Sequence, residues 1–224
     1  MVRKSVQKKV KKRLFRKTKG ERKIEKELLW IVGFIAFLVI IFLVASSIFK
    51  GFNQIEYEGL IFTKERLGEI PVYHYSYYFE NKGVIIKYNL YLRNDPRTLD
   101  VPVEGKDIIF DRGKRVYISV NASGLQQCPY SVLAVADLAS FLSDNQFNVK
   151  GGDPGFFEAG AKRQEWVTCE NKPGNVVILI VEGKETKITI NNNCYEITVA
   201  NCEILEATEK FRVQSIIDAK KFEE

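Results

Sequence analysis

Residues 28–49, LLWIVGFIAFLVIIFLVASSIF, are 22 consecutive residues without a charge. At the helical rise such a stretch is about 33 Å long, enough to cross a hydrocarbon core of about 30 Å. No other segment constrains the chain as strongly. It divides the sequence into a basic tail (1–27), a transmembrane helix (28–49) and one domain-sized remainder (50–224).

The formal net charge of +6 averages two regions of opposite sign. The tail holds 13 Lys or Arg against three Glu, whereas the rest of the chain holds 21 Lys or Arg against 25 Asp or Glu. Positive charge beside an apolar span stays in the cytoplasm, so the expected topology is an uncleaved signal anchor in the cell membrane, N-terminus inside and 50–224 outside. A cleaved secretory signal with a cut near Ala45-Ser46-Ser47 is the competing reading. The apolar run and the basic region before it are both too long for one. The tail's density of cations suits anionic lipid headgroups, and its position against a bilayer explains the charge without nucleic acid. Lys19-Gly20 followed by Glu25 resembles a type IV pilin leader, which would make the chain a pilin-like filament subunit. In pilins the apolar helix follows the cut at once, whereas here Glu21, Arg22 and Lys23 intervene.

The remainder reads as one α+β domain: a mixed or antiparallel sheet with a central helix and a C-terminal helix. Residues 54–64 look like a linker running into a first strand, with Gly59 loosening the entry. Residues 70–79 and 84–93 are β-rich runs joined by Glu80-Asn81-Lys82-Gly83, which predicts an antiparallel hairpin. Alternation puts Tyr73, Tyr75, Tyr77 and Phe79 on one face, and Val84, Ile86, Tyr88, Leu90 and Leu92 on one face of the partner. Such an aromatic row is either a platform for sugar rings or extended peptide, or the ordinary aromatic pairing of a half-buried sheet. Residues 108–110 and 115–120 flank Asp111-Arg112-Gly113-Lys114 and suggest a second hairpin.

Residues 130–144 carry helical spacing, with Val132, Val135, Ala136, Leu138, Ala139 and Leu142 on the apolar side. Asp137, Ser140 and Asp144 lie opposite, and Pro129 marks the start. Strand runs at 147–152 and 165–169 then suggest a βαβ-like insertion. Three more runs follow at 175–183, 186–192 and 194–200, the first apolar enough to sit centrally, covered on both faces. From Asn201 the chain reads as an amphipathic terminal helix, with Ile204, Ala207, Phe211 and Phe222 along the stripe that packs on the sheet.

Cys128, Cys169, Cys194 and Cys202 all lie in the domain placed outside. An even count in an oxidising compartment predicts two disulfides. Of the three pairings the preferred one joins Cys194 with Cys202, which brackets one strand and the next helix start, and Cys128 with Cys169, which ties the helix start to a later strand, worth about 2.5 and about 4 kcal/mol by loop length. Asn121-Ala122-Ser123 is the one N-glycosylation sequon and falls in a loop. No CxxC pair, phosphate loop or histidine constellation is present, so no cofactor, metal or catalytic residue is assigned. His74 is the only histidine and has no local partner spacing. Cys128 beside a helix start has the setting of an activated thiolate, which makes a thiol-redox protein or envelope enzyme the competing class, with Asp95, Asp100 and Asp111 as scattered carboxylates.

EGLIFTKERLGEIPVYHY, NLYLRNDPRTLDVPVEG and CYEITVANCEILEATEKF resemble a group of uncharacterised archaeal single-pass membrane proteins with an extracytoplasmic domain, over most of residues 55–213. The resemblance implies the same placement and carries neither an activity nor functional residues. The sequence therefore predicts a non-catalytic recognition or structural module, or an accessory subunit with a protein partner in the envelope.

Overall fold

The computed structural model describes residues 19–161 and 164–222. Two compact units result, divided between Asn53 and Gln54.

The first unit is helix α1 (Lys19–Asn53), which extends beyond the uncharged stretch at both ends. Its segment Glu27–Ser46 is long and apolar enough to cross a membrane, and none of it is buried by the chain. Apolar residues occur all round this helix, so it lacks the polar face that a helix lying on a soluble core needs. The leader-like Gly20 lies inside α1, and the tail residues before Lys19 fall outside the described ones.

The second unit opens with a four-stranded antiparallel meander, sheet A: β1 (Gln54–Tyr57), β2 (Leu60–Leu67), β3 (Ile70–Asn81) and β4 (Val84–Leu92). The expected β3–β4 hairpin is present, its register closing from Asn81 opposite Val84. Lys82 (φ 50°) and Gly83 (φ 80°) form the two-residue turn, the conformation that matches strand twist. Residues 54–64, expected as a linker running into a first strand, do enter a strand at Leu60, but the expected linker is itself strand β1 and the two form a hairpin, in which Glu58 (φ 46°) and Gly59 (φ 75°) form the same kind of turn. A glutamate in the left-handed region hides the signal that Asn-Gly would have given.

Sheet B has six strands in the order β5-β9-β10-β8-β6-β7: β5 (Val103–Glu104), β6 (Arg115–Val120), β7 (Asn148–Gly152), β8 (Val176–Glu182), β9 (Lys187–Asn191) and β10 (Cys194–Val199). The βαβ-like insertion is β6, a short helix α2 (Ala122–Leu125), helix α3 (Ser131–Asp144) and β7 parallel to β6. Strand β8 is internal, as its apolar run predicts. It does not pair with β9, however, because β10 lies between them, parallel to β8 and antiparallel to β9. Residues 165–169 make only an isolated bridge, Asp153 to Trp166, after helix α4 (Phe156–Ala161).

The second expected hairpin is absent: 108–110 form no strand, and β6 has parallel partners on both sides. Backbone groups of Ile108 and Ile109 are held by side chains instead of a ladder. Ile108 N–H donates to Asp218 Oδ2 at 2.9 Å, and the Tyr195 hydroxyl accepts from Ile109 N–H and donates to its carbonyl.

Helix α3 occupies the expected residues, but its buried stripe is rotated. Ala134, Leu138, Phe141 and Leu142 are inside, while Val132 is 83 % exposed. Pro129 precedes the helix rather than opening it, and Tyr130 (φ 64°) occupies the N-cap. The largest departure concerns the terminal helix α5 (Ile204–Lys221), expected to have one wet face. Thirteen of its residues are buried, including Glu209, Lys210, Arg212 and Asp218, and Phe222 projects beyond its end. Helix α5 packs on β9 and β10 on one side, beside α3, and meets sheet A on the other. Sheet A, the α3–α5 layer and sheet B are thus three stacked layers around one core, which contains Leu60, Phe62, Leu90 and Leu92 of sheet A alongside Ile178, Ile197 and Phe211. Each such side chain contributes about 2 kcal/mol by leaving water.

All four cysteines are in disulfides, but neither preferred pairing occurs: the bonds are Cys128–Cys202 and Cys169–Cys194. The layer order explains both. Cys128 and Cys202 precede α3 and α5, and those two helices pack together. Cys169 belongs to the segment covering the far face of sheet B, which reaches the start of β10 at Cys194.

Candidate functional site

A cavity of about 390 Å³ opens between the end of sheet A and the helical layer. Strand β3 supplies Tyr75, Tyr77 and Phe79 from one face, since alternate residues of a strand project the same way. The opposite wall is Phe110 and Phe147, with Phe141 from α3. Residues 108–112 can wall a cavity because Asp218 and Tyr195 hold their backbone away from any strand partner. The last turn of α5 closes the remaining side with Ile216, Ala219 and Lys220.

The rings also pack on one another: Tyr75 on Tyr77, Tyr77 on Tyr88, Tyr88 on Phe141. The aromatic row of β3 is therefore a sheet-packing element and a cavity wall at once. Its polar groups are few. Tyr77 donates from its hydroxyl to Asn145 Oδ1 at 2.6 Å, and Asn145 Nδ2 donates to the Phe141 carbonyl at 2.8 Å. Burial raises the Tyr77 phenol far above its ordinary range, against the opposing effect of the Asn145 hydrogen bond. Ser215 is already engaged, donating to the Arg212 carbonyl at 2.8 Å.

Two cations, Arg112 and Lys220, line the same cavity, and none of the described lining residues is acidic. Neither forms an ion pair among the described residues; Lys220 Nζ stands 5.8 Å from the centroid of the Tyr75 ring. The arrangement supplies wide apolar contact, little hydrogen-bonding capacity and unneutralised positive charge. Composition could not have located it: Arg112 reads as a turn residue and Lys220 as the wet end of a helix.

A second cavity, about 500 Å³, runs along α3 beside β6 and β7. Small apolar residues such as Ala136, Ala139 and Gly151 wall it, and its polar lining is limited to Ser131, Gln126 and Gln164. It carries no charge and converges on no polar group, so the aromatic cleft is the stronger site.

The residues singled out in the sequence do not gather there. His74 hydrogen-bonds Glu65 at 3.0 Å and Asn89 at 3.1 Å and stacks on Tyr91. Asp95 accepts from Arg97 N–H and is held by its guanidinium, which keeps its pKa below the ordinary value. Asp111 closes a turn by accepting from Gly113 N–H, while Asp100 is exposed. The Cys128 sulfur is taken up by Cys202. Asn121 is half-buried at the N-cap of α2, and its N–H donates to the Ile180 carbonyl. Among the described residues no cluster of three metal-ligating side chains occurs. Compared with known protein families, curated proteins and solved structures, the chain matches none.

Proposed function

We propose that this chain is a signal-anchored membrane protein whose disulfide-stapled domain works outside the cytoplasm as a recognition module, holding a small apolar ligand in the aromatic cleft. The cleft carries the reading: aromatic walls around about 390 Å³ with two cations that form no ion pair among the described residues is the composition of a binding pocket rather than of packed core. Support for the placement comes from the tail's cations, the apolar span of α1 and the two disulfides. Anionic headgroups beside the tail, a protein partner in the envelope and glycosylation of Asn121 belong to the same proposal.

Full-length protein in zwitterionic nanodiscs, titrated with an anionic naphthalene-sulfonate dye, tests the cleft. Saturable fluorescence should appear and should fall at least about tenfold in affinity on Tyr77→Ala, which opens the wall. Dye binding unchanged by Tyr77→Ala and by Phe110→Ala would remove the cleft as the site. Protease added to intact cells tests the topology: the domain should be cut and the tail spared, and the opposite pattern overturns the placement.

A further inference from the structure

We infer that the ligand of this cleft is an amphipathic anion, a hydrocarbon chain ending in a single acid group, and the inference rests on the cleft being a binding site. Three properties of the lining select that chemistry. First, Arg112 and Lys220 both face the cavity and none of the described lining residues is acidic, so among these a cationic ligand would be repelled and an anionic one attracted.

Second, most of the hydrogen-bonding groups are already engaged, the Tyr75 and Tyr78 hydroxyls being lining groups that make no hydrogen bond among the described residues. Asn145 is committed to Tyr77 and to the Phe141 carbonyl, Ser215 to the Arg212 carbonyl, Ile108 N–H to Asp218, and both backbone groups of Ile109 to Tyr195. A sugar would bury a hydroxyl on nearly every carbon without a partner. An extended peptide would bury its N–H and C=O groups the same way. Each unmet group costs about 1–3 kcal/mol, which a cavity this poor in free partners cannot offset. Hydrocarbon has no such requirement.

Third, the charged groups differ from the walls in exposure. Arg112 and Lys220 are solvent-accessible, whereas Tyr75 and Phe141 are buried. An acid group therefore keeps contact with water and cations while the chain lies among rings, the division an amphiphile makes. The acid group can come from a free alkyl carboxylate or from a lipid phosphate, and both present the same chemistry to the cleft.

Displacement of the naphthalene-sulfonate dye from full-length protein in zwitterionic nanodiscs tests the proposal, using octanoate, octanol, octylammonium and dihexanoyl phosphatidate. Octanoate should displace the dye at least about tenfold more effectively than octanol, the low end for a hydrogen bond to a charged partner, and octylammonium should be weakest. Arg112→Gln with Lys220→Gln, both at exposed positions, should abolish the preference for octanoate over octanol. Tighter displacement by octanoate than by phosphatidate assigns the free acid as source; the reverse order assigns the lipid. Equal displacement by octanoate, octanol and octylammonium overturns the anion inference while the cleft stands. Absence of dye binding sensitive to Tyr77→Ala overturns the cleft itself.

Discussion

Glu209 is fully buried in α5, yet removing it should cost more than removing the similarly buried Arg212 beside it. The carboxylate accepts three hydrogen bonds: Arg93 N–H at 2.6 Å, Asn94 N–H at 3.1 Å and Asn94 Nδ2 at 2.9 Å. These finish the backbone just beyond β4, where no strand partner remains. Glu209→Ala strands all three donors; at about 1–3 kcal/mol for a buried unmet group, partly relieved by water, the loss comes to about 4 kcal/mol. Arg212 is different. Its nearest carboxylate oxygens are Glu209 at 3.9 Å and Asp137 at 4.0 Å, and its Nε and Nη2 donate to nothing among the described residues. Arg212→Met removes an incompletely satisfied buried cation and keeps the apolar stem but leaves the Glu209 carboxylate without its countercharge at 3.9 Å, so it should cost about 1–2 kcal/mol, less than Glu209→Ala. Burial outweighs the neighbouring donors and raises the Glu209 pKa. With its folded value raised, the wild type loses stability as pH rises past the unfolded carboxylate value, and Glu209→Ala should lack that loss. Urea denaturation of full-length protein in nanodiscs, followed by circular dichroism at constant m-value, gives both numbers. An Arg212→Met loss equal to that of Glu209→Ala, or a Glu209→Ala loss under about 1 kcal/mol, refutes the argument.

Removing the disulfide between residues 74 apart, as Cys128→Ser with Cys202→Ser, should cost about 4.5 kcal/mol by loop entropy, and Cys169→Ser with Cys194→Ser, 25 apart, about 3.5 kcal/mol. Non-reducing peptide mapping should yield those two cross-links, and a Cys128–Cys169 peptide would contradict them. In acid, Glu165 is held at about 2 by Lys150 and Lys172, so its contribution to stability is present above the ordinary glutamate value and lost as pH falls towards 2. Glu165→Gln should flatten that acid slope in denaturation at pH 5, 4 and 3. In base, burial raises Tyr88 to about 12 and Tyr77 further, so stability should fall as pH rises from 10. Absorbance at 295 nm should show these phenols ionising only with unfolding, and ionisation near pH 10 in folded protein would sink the assignment.

The parts of this fold that are legible in the chain are those set by neighbours in sequence. The β3–β4 hairpin needs only two alternating runs and a turn able to take positive φ, and all three lie within 70–93. Likewise β8 declares itself by an unbroken apolar run. What is illegible depends on partners far away in sequence. Helical periodicity assigns Glu209 and Lys210 to a wet face and places Asp218 on the apolar stripe with no partner in sight, because nothing nearby distinguishes a solvated charge from a satisfied buried one. Their partners are Asn94, Tyr57 and Ile108, more than a hundred residues earlier. Distance along the chain also hid the Cys128–Cys202 bond, which follows from α3 lying beside α5 and not from loop length. The aromatic face of β3 was visible; its opposite wall at 108–112 was not, because a segment held by side chains leaves no periodic trace.

That contrast in how charges are handled bears on the cleft. Within α5, Lys210 donates to the Tyr57 hydroxyl at 2.8 Å, and Asp218 accepts from Ile108 N–H, Gln214 and Lys221. Every one of these groups completes a layer-to-layer or intrahelical contact, and a helix can lie in the middle of the domain only because they do. Lys220, one residue from Lys221, follows a different rule: its ammonium faces the cavity over a phenol ring and meets no carboxylate there. Arg112 repeats the pattern from the other wall, one residue after Asp111, which closes its own turn and pairs with Lys114. Acids lie one residue away in the chain at Asp111 and two away at Asp218, yet both turn to other work. A cavity that needed only internal neutrality would have drawn them in. Among the described residues the positive charge at this cavity meets no carboxylate, which is what the proposed anionic ligand would complement.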